Sequence, residues 1–370
     1  MIAPMMREQF SYLDAVFEQV CVGVQLTQSQ YDDATQKYGS IGRYISEPTS
    51  PLYLFAPDIY PQGSMRLGTT IRPWRGEEFD LDIVCQLHYC DGQPALNVYN
   101  LVAERLRNHA TYRSILQLKN RCLRINYAGN FHLDLIPACP DVGTAIKVPD
   151  RKLAAWMPSN PIGYADWFFT RCQYRQPLLK EAAAVRVRPL PSNVPSDKKY
   201  SLQRAVQLLK RHRDSFFDGN PDAARSILLT TLAAQAYDGQ ESLTLALDGI
   251  IDGIRRLIAD TSGIPHVPNP TNPQENVAAG WNAETYPQFV GYVHSVRQHL
   301  DCLMNGDGID QMTKALGGLV GQPVAERAVL AHARETEQLR NNRSLRVEPG
   351  TGRLTTAAGF VIRPNNFYGE

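Results

Sequence analysis

The stretch QGSMRLGTTIRPWRGEEFDLDIV, residues 62–84, decides how the rest of the chain is read. Its end alternates apolar and acidic side chains, and this period of two predicts a β-strand at 81–87. Asp80 and Asp82 then emerge on one face while Leu81 points into a core. Two carboxylates held so close repel each other, and a divalent cation removes that cost. Mg²⁺ takes oxygen ligands, commonly one or two carboxylates together with substrate phosphates. Sixteen positions before Asp80 stand Gly63 and Ser64, preceded by Gln62 and by the approach Ile59-Tyr60-Pro61. A glycine lets backbone come close to a phosphate, and a serine donates its hydroxyl and can open a helix whose N-terminus attracts anions. Gly68 and Thr69 continue the small polar turn.

A third acid lies downstream in FHLDLIPA, where Asp134 sits among Phe131, Leu133, Leu135 and Ile136. An acid inside an apolar strand is costly unless it is paired or metal-bound. If this strand lies beside that of Asp80, three carboxylates converge and two ions about 4 Å apart can serve an in-line displacement. Taken singly, the DxD reads as a solvated strand edge, the Gly-Ser as a turn and Asp134 as a salt-bridged acid. Their order and matching secondary structure favour a site.

Around these residues the pattern is α+β. One amphipathic helix is predicted over 7–38, with Phe10, Leu13, Val16, Phe17 and Val20 at helical spacing. A helix follows at 95–109 and a strand at 121–127. The turn Ala128-Gly129-Asn130 then leads into a strand at 131–136. The Pro-rich segment 186–196 reads as the crossover to a second lobe. Beyond it helical patterns cover 202–217, 223–237, 243–259, 286–304 and 323–342, interrupted by the Pro- and Asn-rich loop 262–281. The expected division is a brace helix with a mixed-sheet catalytic lobe over 1–190, a helical lobe over 191–345 and a Gly- and Thr-rich tail over 346–370.

At these residues the chain resembles the DNA polymerase β-like nucleotidyltransferase superfamily, whose pattern is Gly-Ser, then DxD on a strand, then a third Asp on a neighbouring strand. It is more closely similar to the cGAS/DncV-like nucleotidyltransferases (CD-NTases) of bacterial anti-phage signalling. The blocks QGSMRLGTTIRP, EFDLDIVCQL and FHLDLIPACP carry the superfamily resemblance. SNPIGYADWF, LQRAVQLLKRHRD, SILLTTLAAQAY and NPTNPQENVAAGW point to this branch.

The resemblance implies a two-lobed α+β enzyme that makes a cyclic di- or trinucleotide second messenger from ribonucleoside triphosphates, ATP or also GTP, UTP or CTP, releasing pyrophosphate. Asp80, Asp82 and Asp134 would be catalytic and carry two Mg²⁺ or Mn²⁺ ions. Gln62, Gly63 and Ser64 would hold the donor triphosphate. Lys210 and Ser226 match a lysine and a serine that grip the triphosphate from two C-lobe helices, although Lys210 also reads as part of a solvated Lys-Arg-His-Arg face and Ser226 as a helix cap. Ser159 and Asn160 either read a base edge or form the turn before Pro161. A separate effector would respond to the product, and an operon-encoded regulatory partner fits the same resemblance. Base choice, linkage and ring size stay open. The alternatives are an enzyme that modifies RNA ends or protein hydroxyls, and a catalytically silent nucleotide-binding scaffold.

Composition narrows the class further. In 370 residues, 43% hydrophobic and 20% charged, 38 basic and 37 acidic side chains leave a net charge of +1, so no global field draws the chain onto long nucleic acid. No zinc-bearing thumb insertion is visible either, and activation by DNA is not expected. Seven scattered cysteines without a CxxC pair read as reduced thiols of a cytoplasmic protein, and Cys85, His88 and Cys90 lack a fourth zinc ligand. Neither a leader peptide nor an apolar run of about 18 residues is found, so membrane spanning is not expected. Some relatives are attached to other proteins through a small C-terminal residue, whereas here Gly369 is followed by Glu370.

Overall fold

The computed structural model describes residues 4–76, 78–127, 131–172, 186–305, 308–347, 354–355 and 359–361. The turn at 128–130 and the residues Gly369 and Glu370 lie outside these. Where the periodicity predicts one N-terminal helix the chain forms two, α1 (Pro4–Val24) and α2 (Gln28–Ser46). Thr27 starts the second. Gln30 N donates to Thr27 Oγ1 at 3.2 Å and Thr27 N donates to Gln30 Oε1 at 3.0 Å, a capping box that satisfies two helix-end amides. The break lets the two helices serve different cores. Leu13, Val16, Phe17 and Val20 of α1 are buried among C-terminal helices, while Tyr38, Ile41 and Ile45 of α2 are buried against a sheet.

That sheet is built from β1 (Pro57–Pro61), then after α3 (Gly63–Leu67) from β2 (Phe79–Leu87). Helices α4 (Ala95–Arg107) and α5 (Ala110–Ile115) precede β3 (Leu116–Leu118), β4 (Leu123–Tyr127) and β5 (Phe131–Pro140). The strand order is β1-β2-β5-β4-β3, with β2 and β5 parallel and the other neighbours antiparallel. The long return through α4 and α5 is what permits the parallel pair. Phe79, Leu81 and Ile83 face the core that also holds Tyr99 and Val102 of α4. The opposite positions of β2 are therefore free for Asp80 and Asp82.

Strands β6 (Ile146–Asp150) and β7 (Ala155–Ser159) extend the sheet from the far end of β5, and α6 (Pro161–Arg171) follows. Cys90 and Cys139, with Cα atoms 6.1 Å apart, are joined as a disulfide, which corrects the reading of seven reduced thiols. The parallel pairing causes the encounter, because the end of β5 runs beside the segment that leaves β2. Cys21, Cys85, Cys122, Cys172 and Cys302 are free. The Pro-rich crossover adds to the sheet edge: Ile59 N donates to Arg186 O and Arg188 N to Ile59 O, at 2.9 and 2.8 Å. An edge is where prolines are tolerated.

The second core is helical, with α7 (Ser201–Phe217), α8 (Ser226–Ala236), α9 (Leu243–Asp260), a short hairpin of β8 (Pro268–Asn269) and β9 (Asn272–Asn276), α10 (Thr285–Asn305), α11 (Ile309–Val320) and α12 (Gln322–Asn341). Leu202, Val206, Leu209, Leu229, Ile250, Val293 and Leu316 are buried in it. Helix α11 is absent from the sequence reading because Gly317 and Gly318 weaken its helical pattern. The packing requires Gly318: a Cβ there would collide with the His299 ring. Within 346–370, the expected tail, β10 (Arg346–Val347) pairs with both β11 (Leu354–Thr355) and β12 (Phe360–Val361). Among the described residues no helix is long and apolar enough to cross a membrane.

Candidate active site

Parallel pairing sets Asp82 of β2 level with Asp134 of β5, and antiparallel pairing sets Arg124 of β4 level with Asp134. Side chains level across a sheet share a face, so Asp82, Asp134 and Arg124 form one row, with Asp80 two residues along β2. Asp80 and Asp82 line a cleft of about 540 Å³ between this face and the helical core. Asp134 is not on the cleft wall and is only 8% exposed. Arg124 covers both its oxygens, Nε donating to Oδ1 and Nη2 to Oδ2 at 2.8 Å each, while Nη2 also reaches Asp80 Oδ1 at 3.4 Å. The three carboxylates are thus neighbours without converging on one point, and among the described residues no three metal-ligating side chains enclose an ion site. Burial, then the negative charges of Asp80 and Asp134, push the Asp82 carboxyl up to about 7. Asp80 is raised as well, chiefly by the protein walls around it, although its side chain meets cleft water.

The end of β1 brings in the Gly-Ser turn. Gln62 N donates to Asp82 O at 2.9 Å, and Gly63 takes φ +59° at the start of α3. A Cβ on Gly63 would lie 2.6 Å from Asp82 Oδ2, so only glycine leaves the carboxylate its place. Ser64 Oγ accepts from Thr70 Oγ1 at 3.0 Å. Gln62, Gly63 and Ser64 all line the cleft.

The opposite wall comes from α7 and α8. Lys210 is 3% exposed and lines the cleft, its Nζ donating to Thr69 Oγ1 at 3.2 Å and Thr69 O at 3.3 Å. Arg211 and His212 are buried too, which removes the solvated-face reading of this run. Burial, then the adjacent Arg213, push the Lys210 ammonium down to about 7, against the pull of Asp214 and Asp82. Ser226 is the first residue of α8, with Arg225 in the cap position, so it is not a cap; its Oγ accepts from Arg213 Nη1 at 2.8 Å. Ser159 and Asn160 line the cleft, and Asn160 is the N-cap of α6, just before Pro161. Its Oδ1 accepts from Gly163 N at 2.9 Å and from Thr144 Oγ1 at 3.0 Å.

Sequence reasoning missed Arg124, Arg213, Trp74, Asn269 and Glu275. Arg213 and the last three line the cleft. Two of the five left a signal: Arg124 occupies a polar position between Leu123 and Ile125, and Arg213 lies one helical turn beyond Lys210. Trp74, Asn269 and Glu275 sit in loops or a short hairpin whose position no periodicity reveals.

Residues 12–171 match the family model of the Second Messenger Oligonucleotide or Dinucleotide Synthetase domain. A c-di-GMP synthase of Roseivirga ehrenbergii is 32% identical over 381 residues, covering 97% of each chain. The structure of the Bradyrhizobium diazoefficiens CD-NTase CdnG in complex with GTP aligns with TM-score 0.70 and 26% identity, across 87% of this chain and 98% of that one. The cyclic AMP-GMP synthase DncV of Vibrio cholerae, at 12% identity and TM-score 0.57 over 82% of this chain and 94% of its own, shares the fold. With its three aspartates on neighbouring strands, the Gly-Ser turn before them and a matching relative along nearly its whole length, the chain belongs to the cGAS/DncV-like nucleotidyltransferases, the family of cyclic oligonucleotide synthases.

Proposed function

We propose that the chain condenses two GTP molecules into cyclic di-GMP with release of two pyrophosphates, as a signal in anti-phage defence. One observation carries the catalytic part: Asp80 and Asp82 face Lys210 across a single cleft that Gly63 and Ser64 also line. The donor set fits divalent cations, since it offers carboxylate oxygens and already draws a cationic guanidinium onto Asp134 and Asp80. Asp80, Asp82 and Asp134 are the residues that would hold them. Cations bound there supply charge neutralisation to a displacement at phosphorus.

The remaining work falls to the chain's own groups. Gly63 and Ser64 admit the donor triphosphate beside Asp82. The negative charge of the triphosphate favours the ammonium form of Lys210, which, already desolvated, then supplies positive charge to it without further loss of hydration. Arg213, whose Nε donates to Asp214 Oδ1 at 2.8 Å, adds a second guanidinium on the same wall, its charge shared with that carboxylate. With the donor fixed, a ribose hydroxyl of the second nucleotide is oriented toward the α-phosphate, and orientation is itself a large part of such catalysis.

Support for guanine comes from two sides. The Roseivirga relative is named for c-di-GMP and the Bradyrhizobium one was solved with GTP. In the cleft, Asn269 Nδ2 donates to Glu275 Oε2 at 2.8 Å, while Thr271 N donates to Asn269 Oδ1 at 3.0 Å, so the amide is fixed and the carboxylate is held in place. A carboxylate accepts both the N1–H and the N2–H of guanine, whereas adenine presents a lone pair at N1. Mass spectrometry of products from an equimolar mixture of the four triphosphates with Mg²⁺ tests the reading. Cyclic di-GMP as the main product is expected; a linear or adenine-only product overturns it.

A further inference from the structure

Arg124 stands in the row of aspartates as a permanent cation. It lies opposite Asp134 by strand register, not by the reach of a flexible loop, so every folded copy of the chain carries the guanidinium beside this carboxylate. Its fork uses both Asp134 oxygens at 2.8 Å and touches Asp80 at 3.4 Å, and Asp134, so paired, does not line the cleft that Asp80 and Asp82 line. Two parallel charge-assisted hydrogen bonds are among the stronger polar contacts in proteins. With 23% of its side chain open to water, the guanidinium has a path out of the pair.

We infer that Arg124 is a positioning residue that competes with divalent cations for Asp134: it holds the carboxylate row together when no cation is bound and must leave Asp134 before the third ligand can turn to the cleft. The inference rests on the reading of Asp134 as a ligand, and it explains why the three acids, two of them level across β2 and β5 and the third two residues along β2, do not meet at one point. The bond changes are simple. Two N–H···O hydrogen bonds are given up, two carboxylate oxygens become available, and no proton changes owner.

The test uses Mn²⁺ binding to nucleotide-free full-length protein, followed by electron paramagnetic resonance, on Arg124→Met, Arg124→Lys and Asp134→Asn. Arg124→Met is expected to bind Mn²⁺ at least about tenfold more tightly than the parent, since a competing charged pair has been removed. Arg124→Lys, which keeps the charge but not the fork, falls between them. In chelator, Arg124→Met melts at a lower temperature than the parent, and added Mn²⁺ restores more of its stability. A folded Arg124→Met with unchanged or weaker Mn²⁺ affinity overturns the inference. Asp134→Asn separates the two layers: undiminished Mn²⁺ binding there sinks the ligand reading itself, whereas lost binding there with an unaltered Arg124→Met sinks only the competition. Should Arg124→Met not fold, the parent protein gives the answer through the Nε–H of Arg124, which must lose its protection from solvent exchange when Mg²⁺ is added. Protection that persists with Mg²⁺ bound refutes the displacement.

Discussion

Arg213 donates from Nη1 to Ser226 Oγ at 2.8 Å, so the hydroxyl that the resemblance assigns to a triphosphate already serves the neighbouring helix. Lys210, by contrast, donates to Thr69 and sits desolvated on the cleft wall. Lys210→Ala should therefore weaken binding of a non-hydrolysable GTP analogue by about 1.5 to 3 kcal/mol, the worth of a charged hydrogen bond, and Ser226→Ala by less than about 1 kcal/mol. Calorimetric titration of both variants, with single-turnover rates alongside, checks this. Equal losses, or an unaltered Lys210→Ala affinity, would return the lysine to a structural role.

Asp80→Asn combined with Asp82→Asn should abolish pyrophosphate release while leaving far-ultraviolet dichroism intact, because amides keep the shape but not the charge that binds a divalent cation. Asp134→Ala should be equally inactive. Normal turnover in either would remove the catalytic assignment.

Asp82 makes stability depend on pH. Its carboxyl titrates at 3.8 unfolded and about 7 folded, so between these values the native state holds the extra proton and loses stability as pH rises. The cost is absent below the lower value and complete above the upper one. In chelator, Asp82→Asn should accordingly melt higher than the parent at pH 8, with the difference shrinking toward pH 4. A difference that is constant across this range would show that the carboxylate is not strained by burial and its neighbours.

Glu275→Gln should lower the preference for GTP over ATP by about tenfold, since an amide replaces one acceptor with a donor and leaves a guanine N–H without its partner. Competition between the two triphosphates, read as product composition, is the measurement. Slower synthesis with unaltered composition would assign base choice to other residues.

The site was legible where periodicity carried chemistry. Strand alternation put Asp80 and Asp82 on one face and an acid in an apolar run singled out Asp134, whereas Lys210 was reached through the resemblance, its own run reading equally as a solvated face. Pairing partners were not legible: nothing local says that Arg124 faces Asp134, because that depends on which strands become neighbours. The helix break at Thr27 was written in the sequence as Thr-Gln-Ser-Gln, a capping box overridden by the longer apolar repeat. Helix α11 stayed hidden because its glycines, read locally as breakers, are required for a distant contact with His299.

The division of the N-terminal helices between two cores has a consequence for how the chain is made. Helix α1 leaves the ribosome before the other described elements, yet it packs most extensively against α12, the last of the described helices, with Gln19 Nε2 donating to Glu335 Oε2 at 3.1 Å. The sheet core can close once residues up to about 190 have emerged, but the helical core must wait for nearly the whole chain. Until then the part of α1 that packs on α12 lacks its partner, and a nascent chain stalled before α12 is the species that chaperones would have to shield.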